Sequence, residues 1–178
     1  LEDCLHCVIR GEYSLEERGV MEVLQGESSW YALNDVVISR GGYARLITLE
    51  ALVDGDTAGH YVADGVIVAT PTGSTGYSLS AGGPIVSPSV DCMIITPVCA
   101  HSLQHRPFVV PGGAQIRLRL EEDEEQHACL EVDGQSCCEL RAGAGVTVRR
   151  AQRSVKLIRT RQAHFFQLVR SKLTEWSR

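Results

Sequence analysis

The chain lacks any apolar run long enough to cross a bilayer, and its first residues show no basic stretch leading into an apolar one. These absences predict no membrane partner and a cytoplasmic protein. Aromatic residues make up only 6% of the 178 positions, too few to interleave with basic residues as a platform for stacked bases. Cysteine is present but odd in number, seven in scattered positions, which argues for reduced thiols and against a disulfide framework. Cys4-Leu-His-Cys7 is a lone C-x-x-C with no second pair at zinc-finger spacing. Cys137 and Cys138 are adjacent and are expected on opposite faces of a strand. All read as small apolar residues, and no metal ligands are assigned.

The net charge of −5 conceals a strong asymmetry. From Arg141 onward there are ten Lys and Arg against Glu175 alone. A basic tail can mark a nucleic-acid partner, but here the arginines alternate with Val148, Val155, Leu157 and Ile158 on strand-like segments. The expectation is a solvated or domain-facing surface and no nucleic acid. The acidic run Glu121 to Glu125 falls between two strand patterns and is expected at the tip of a hairpin.

What is abundant is strand signal. Alternating or β-branched runs occupy Gly19 to Leu24, Trp30 to Ser39, Ala44 to Val53, Gly59 to Val62, Gly65 to Thr70, Asp91 to Pro97, Gln115 to Leu120, His127 to Asp133, Ser136 to Leu140, Gly145 to Arg150 and Arg153 to Arg159. Asp54-Gly55, Asp64-Gly65 and Asp133-Gly134 are cues for tight turns. Helices are few: Glu2 to Val8, a short one after Thr75, and Ala163 to Trp176, whose Phe165, Phe166, Leu168, Val169, Leu173 and Trp176 form an apolar stripe that needs a cover. The pattern predicts a mainly β, two-sheet sandwich-like single domain over residues 1–178, with a few short helices and a C-terminal helix within 163–178.

The most informative stretch runs from Asp64 to Pro84. Gly65-Val-Ile-Val-Ala69 is continuously apolar and reads as a strand covered on both faces. Thr70-Pro-Thr-Gly-Ser-Thr-Gly76 then brings hydroxyls and small residues to a turn that precedes a short helix. Small residues there let backbone N–H groups approach an acceptor such as a phosphate, a ribose or a purine edge.

Thr70 to Pro84 resembles a signature of the NAD kinase family, a TPTGSTAYSLSAGGP-like sequence, with Gly76 where the family usually has alanine. Leu33 to Ile38 resembles its Asn-Glu/Asp motif at a strand, and Pro97 to Val109 its Pro-His-Ser/Thr-Leu…Arg-Pro segment. Glu131 to Gln135 resembles its Asp-Gly-Gln turn, and Phe165 to Trp176 its closing helix. The resemblance covers the family's carboxy-terminal, β-rich domain. The family's amino-terminal α/β domain, with its Gly-Gly-Asp-Gly-Thr turn and catalytic aspartate, has no counterpart in these residues, so no catalytic residue is assigned.

The resemblance implies phosphoryl transfer from ATP, with a divalent ion such as Mg²⁺, to the 2′-hydroxyl of the adenosine ribose of NAD, giving NADP. This chain would supply the NAD-binding half and would be inactive alone. It also implies a homo-oligomer, a dimer or tetramer. The matching NAD contacts are Asn34, Asp35, Arg45, Asp64, Thr72, Thr75, Gly76, Tyr77, Ser78, Leu79, Ser80 and Gln135. Asn34 can donate and accept at an amide or adenine edge, Asp35 can accept from ribose hydroxyls, Tyr77 can offer a ring face and Arg45 can pair with a phosphate. Asp133 reads either as the first residue of a hairpin turn or as a second carboxylate near the reacting hydroxyl. His101 and His105 read as structural or interface residues. Two other readings stay open: a non-catalytic dinucleotide-binding module, and half of a diacylglycerol-type lipid kinase, a family that shares the overall architecture.

Overall fold

The computed structural model describes residues 2–42, 45–102, 105–123, 125–160 and 164–176, with side chains described as far as Thr174 in the last helix. Ala44, Leu103, Gln104, Glu124, Ala163 and the Trp176 side chain, which figure in the readings above, lie outside the described residues.

Among the described residues, twelve strands form two six-stranded sheets. The first sheet orders Ser28–Ala32 (β2), Ser14–Gln25 (β1), Gly145–Arg159 (β12), Ile116–Leu120 (β9), Ile47–Val53 (β4) and Asp56–Ala63 (β5). The second orders Gln135–Arg141 (β11), His127–Val132 (β10), Asp35–Ser39 (β3), Gly65–Ala69 (β6), Cys92–Val98 (β7) and Phe108–Pro111 (β8). Helices are Glu2–Ile9 (α1), Tyr77–Ser80 (α2) and Phe165–Trp176 (α3), with one 3-10 turn at Gly73–Thr75. This is the mainly β, two-sheet architecture with few helices that the sequence pattern predicts.

The chain divides into two compact units, one of residues 19–154 and one of residues up to 18 together with 155 onward. The larger unit holds the sandwich core. Strand β9 shows why it forms: Ile116, Leu118 and Leu120 are fully buried while Arg117 and Arg119 are exposed, the alternation of a strand with one wet face. Leu49 and Ala51 of β4 join them, and Val36, Ile38, Val66, Val68, Ile95 and Leu130 come from the other sheet. Burying each such side chain contributes roughly 1.5–3 kcal/mol relative to exposure.

Strand β6 is different, because all five of its residues are buried. Val66 and Val68 face the main core, whereas Ile67 and Ala69 join Val37 and Ile94 in a second cluster covered by Ala81 and Val86. The segment after β6 therefore folds over the outer face of the second sheet. This is the two-sided burial expected of a continuous Gly-Val-Ile-Val-Ala run.

Several local expectations are corrected. The Trp30 to Ser39 run is two strands, β2 in one sheet and β3 in the other, so the chain changes sheet at Leu33-Asn34. The acidic run 121–125 is no hairpin tip, because β9 and β10 also lie in different sheets. Asp64-Gly65 is likewise a sheet-to-sheet crossing, whereas Asp54-Gly55 and Asp133-Gly134 are tight hairpin turns with positive φ at all four residues. Cys137 and Cys138 do not face opposite ways: a bulge opposite Leu130 and Glu131 interrupts the alternation, and both pack against the main core. Strand β8 is absent from the predicted runs although Phe108-Val-Val is aromatic and β-branched, and the two runs from Gly145 to Arg159 are one strand.

The four arginines of β12 are engaged locally within their own units. Arg149 pairs with Glu22, Arg150 with Asp91 and Arg159 with Glu16, while the Arg153 guanidinium lies 3.4 Å over the Tyr31 ring. The smaller unit carries α3, whose Phe165 and Phe166 rings meet edge to face at 5.2 Å and whose Phe166, Leu168 and Leu173 are exposed. No helix among the described residues is long and apolar enough to cross a membrane.

Candidate functional site

Three of the sequence motifs meet where the chain passes from β2 to β3. Leaving one sheet before entering the next strands the backbone groups of Leu33, Asn34 and Asp35, which must find partners elsewhere. Thr70 and Asp133 supply them. The Thr70 hydroxyl donates to the Leu33 carbonyl at 2.6 Å and its N–H donates to the Asn34 carbonyl at 2.9 Å. Asp133 Oδ2 accepts the Leu33 N–H at 2.7 Å, and Oδ1 accepts those of Asn34 and Asp35 at 2.7 and 3.0 Å. The Asp133 N–H in turn donates to the Asp35 carbonyl at 2.9 Å.

The hydroxyl-rich turn is seated on this crossing. Thr70 Oγ1 also accepts the Gly73 N–H at 3.1 Å, and a side chain at Gly73 would overlap the Asn34 backbone. Ser74 is fully buried; its hydroxyl donates to the Pro71 carbonyl at 2.7 Å and accepts the Val86 N–H at 3.1 Å. Ser78, buried in α2, shares a 2.9 Å hydrogen bond with Thr96 of β7. These two serines pin the turn to the sheet.

Other groups face outward. Tyr77 is 47% exposed, and Asn34, Gly76, Ser80 and Gln135 are exposed, with Thr72, Thr75 and Leu79 half-buried. Burial raises the Tyr77 phenol above its ordinary value, and the charges of Cys99, Glu131, Asp64 and Asp35 push in the same direction. Asp64 is held by Arg40, whose Nε donates to Asp64 Oδ1 at 2.6 Å. Arg45 is apart from this group: it is exposed and forms an ion pair with Glu125.

Asp35 is the anomalous group. It is only 8% exposed, and among the described residues no donor reaches its carboxylate. An ideal Cβ at Gly76 would lie 3.8 Å from Asp35 Oδ2, so the carboxylate looks into the turn. Desolvation raises its carboxyl above the ordinary value, and the negative charges of Asp133 and Glu131 raise it further. Its oxygens are not among the buried polar atoms that lack a partner, so they keep some contact with solvent, and a partly desolvated carboxylate beside two other negative charges is a functional-site candidate.

The structure thus brings together Asn34, Asp35, Thr72, Thr75, Gly76, Tyr77 and Gln135 around one crossing and its turn, and turns Ser78 toward the sheet. Thr70, Ser74 and Arg40 were not singled out from sequence. The signal for Thr70 is its place as the first hydroxyl after a buried strand; Ser74 and Arg40 have none of comparable strength.

Comparison with known proteins decides the family. Residues 33–160 match the family model described as ATP-NAD kinase C-terminal domain. The chain belongs to the NAD kinase family. An NAD kinase of Gemmatimonas aurantiaca is 44% identical over 97% of this chain and 62% of its own length. One from Geotalea daltonii is 42% identical over 97% of this chain and 61% of its own. This NAD kinase family chain therefore spans about three-fifths of the length of the curated relatives it matches. Among solved structures, yeast NADH kinase complexed with NADH matches with a TM-score of 0.88 at 30% identity, covering 97% of this chain and 52% of that one. An NAD kinase from Archaeoglobus fulgidus in complex with ATP matches with a TM-score of 0.78 at 25% identity, covering 96% and 64%.

Proposed function

We propose that this chain is the NAD-binding part of an ATP-dependent NAD kinase, in which the 2′-hydroxyl of the adenosine ribose of NAD receives a phosphoryl group to give NADP. The observation that carries the reading is Asp35, a residue only 8% exposed whose carboxylate has no donor among the described residues and looks into the hydroxyl-rich turn. A ribose offers the hydroxyl donors it lacks. The exposed Tyr77 ring supplies a face for the adenine and Asn34 an amide for a polar edge. Thr72, Thr75, Gly76, Leu79, Ser80 and Gln135 line the same seat, with Ser78 anchoring it from beneath. Arg45 would reach a phosphate only by giving up Glu125.

Transfer of this kind depends on positioning and charge stabilisation. Residues of this chain hold the acceptor; the phosphoryl donor and the proton-accepting carboxylate are assigned to the part of the relatives that this chain does not span. Among the described residues no three His, Cys, Asp or Glu side chains are grouped to hold a metal ion, so the expected divalent ion is assigned no ligand here. In this reading the assembled enzyme is a dimer or tetramer, and Asp64, which Arg40 holds, meets a ligand bound by a neighbouring copy. Seven free thiols support a reducing compartment such as the cytoplasm.

The carboxylates of Asp35, Asp64 and Glu131 near Tyr77 favour a polar nucleoside over the apolar acceptor of a lipid kinase. Titration calorimetry with NAD, ADP-ribose and diacylglycerol vesicles tests this. Saturable binding of the first two and none of the third is expected; binding of diacylglycerol alone would overturn the reading.

A further inference from the structure

We propose that Asp133 is a positioning residue for the ligand: its carboxylate sets the aim of Asn34 and Asp35 by holding the three consecutive backbone N–H groups of residues 33–35. This inference rests on the NAD-binding reading above and deepens it.

Residues 33–35, the crossing and the first residue of β3, have their three carbonyls and three amides bonded to Thr70 and Asp133. The carbonyls of Leu33 and Asn34 go to Thr70 and that of Asp35 to the Asp133 N–H. All three amides go to the Asp133 carboxylate, at 2.7, 2.7 and 3.0 Å. Successive N–H groups converging on one anion form a nest, and bonds of this charge-assisted kind are about twice as strong as neutral ones. The segment is therefore clamped from both sides, carbonyls by one motif and amides by another. Neither clamp touches the Asn34 or Asp35 side chains, which stay free for a ligand.

The same geometry separates two roles for Asp133. A general base needs an oxygen free to take a proton from the reacting hydroxyl. Oδ1 accepts two of the amides and Oδ2 the third, so a proton taken here would weaken the clamp on residues 33–35; Asp133 acts through its neighbours. Its own backbone explains the choice of residue: φ is +47° at Asp133 and +75° at Gly134, the tight hairpin turn that joins Val132 to Gln135. Asp, Asn and Gly tolerate that conformation, and of these only Asp carries two acceptor oxygens and a charge.

That tolerance makes the test clean. Asp133→Gly and Asp133→Asn both keep the turn but remove the anion. NAD affinity should fall at least about tenfold in each. Adding Asp133→Gly to a variant that already carries Asn34→Ala and Asp35→Asn should cost less than about threefold more, because Asp133 acts only through those two residues. A lowered melting temperature with NAD affinity within about twofold of wild type would make Asp133 merely structural and overturn the proposal. Fully additive losses would overturn it too, since Asp133 would then meet the ligand itself. Failure of the unaltered protein to bind NAD would instead sink the function reading, and this inference with it.

Discussion

Gly73 is pressed so closely against Asn34 that a methyl group at residue 73 would overlap the Asn34 carbonyl and lie 2.8 Å from the Asn34 Cα. Backbone on both sides leaves nothing flexible to move aside. Gly73→Ala should therefore separate the turn from the crossing and destabilise the protein by about 3 kcal/mol. Gly113 is the control, with nothing within 4 Å of its ideal Cβ and no positive φ; Gly113→Ala should stay within about 0.5 kcal/mol. Denaturant midpoints of the two variants measure the difference, and equal midpoints would refute the close approach.

Tyr77 and Asn34 are both exposed, so trimming either should leave the melting temperature nearly unchanged. Their expected effect is on the ligand. Tyr77→Ala should remove a stacking surface worth roughly 1–3 kcal/mol of NAD affinity, and Asn34→Ala about 1–3 kcal/mol by leaving a ligand polar group unpaired. Wild-type affinity in both variants would mean that the turn is purely structural.

Activity should require more than this chain. Relatives named NAD kinase extend well beyond the matched region, which is 62% of the length in the Gemmatimonas protein. The purified 178-residue chain is expected to make no NADP from ATP and NAD above background, and a protein that adds the relatives' remaining portion is expected to make it. Turnover by the chain alone, followed by coupled NADP detection, would place a donor site among its own residues.

How legible the site was depends on what each residue's signal was. The two-sided burial of β6 was readable because all five side chains are apolar, and the Asp133-Gly134 turn because few residues tolerate positive φ. The crossing at Leu33-Asn34 was only half readable: Asn34-Asp35 carries a turn signal inside the Trp30 to Ser39 run, but only the partners of each half reveal that they lie in different sheets. The role of Asp133 was hidden for the same reason, since its three amide partners lie about a hundred positions away in the chain. Ser78 carried a ligand assignment through resemblance, and its bond to Thr96 shows a hydroxyl turned the other way.

Asp35 offers the test with the most definite sign. Burial, then Asp133 and Glu131, raise its folded-state carboxyl above the ordinary value, so the folded protein holds that proton more tightly than the unfolded chain. Its cost to stability is absent below the ordinary carboxylate range, about pH 4, and is fully present once pH has risen through the raised folded-state value. Asp35→Asn removes the charge at nearly constant shape. The variant should melt higher than wild type at pH 7, and the advantage should vanish at low pH. NAD affinity should move oppositely: the variant binds more weakly at pH 7, because a ribose hydroxyl loses its charged acceptor. In wild type, affinity should rise with pH through the folded-state value and then level, while the variant's profile is flat over that range. A lower melting temperature for Asp35→Asn at pH 7 would show that the carboxylate accepts a structural hydrogen bond, and the site would lose the unpaired group on which the NAD reading rests.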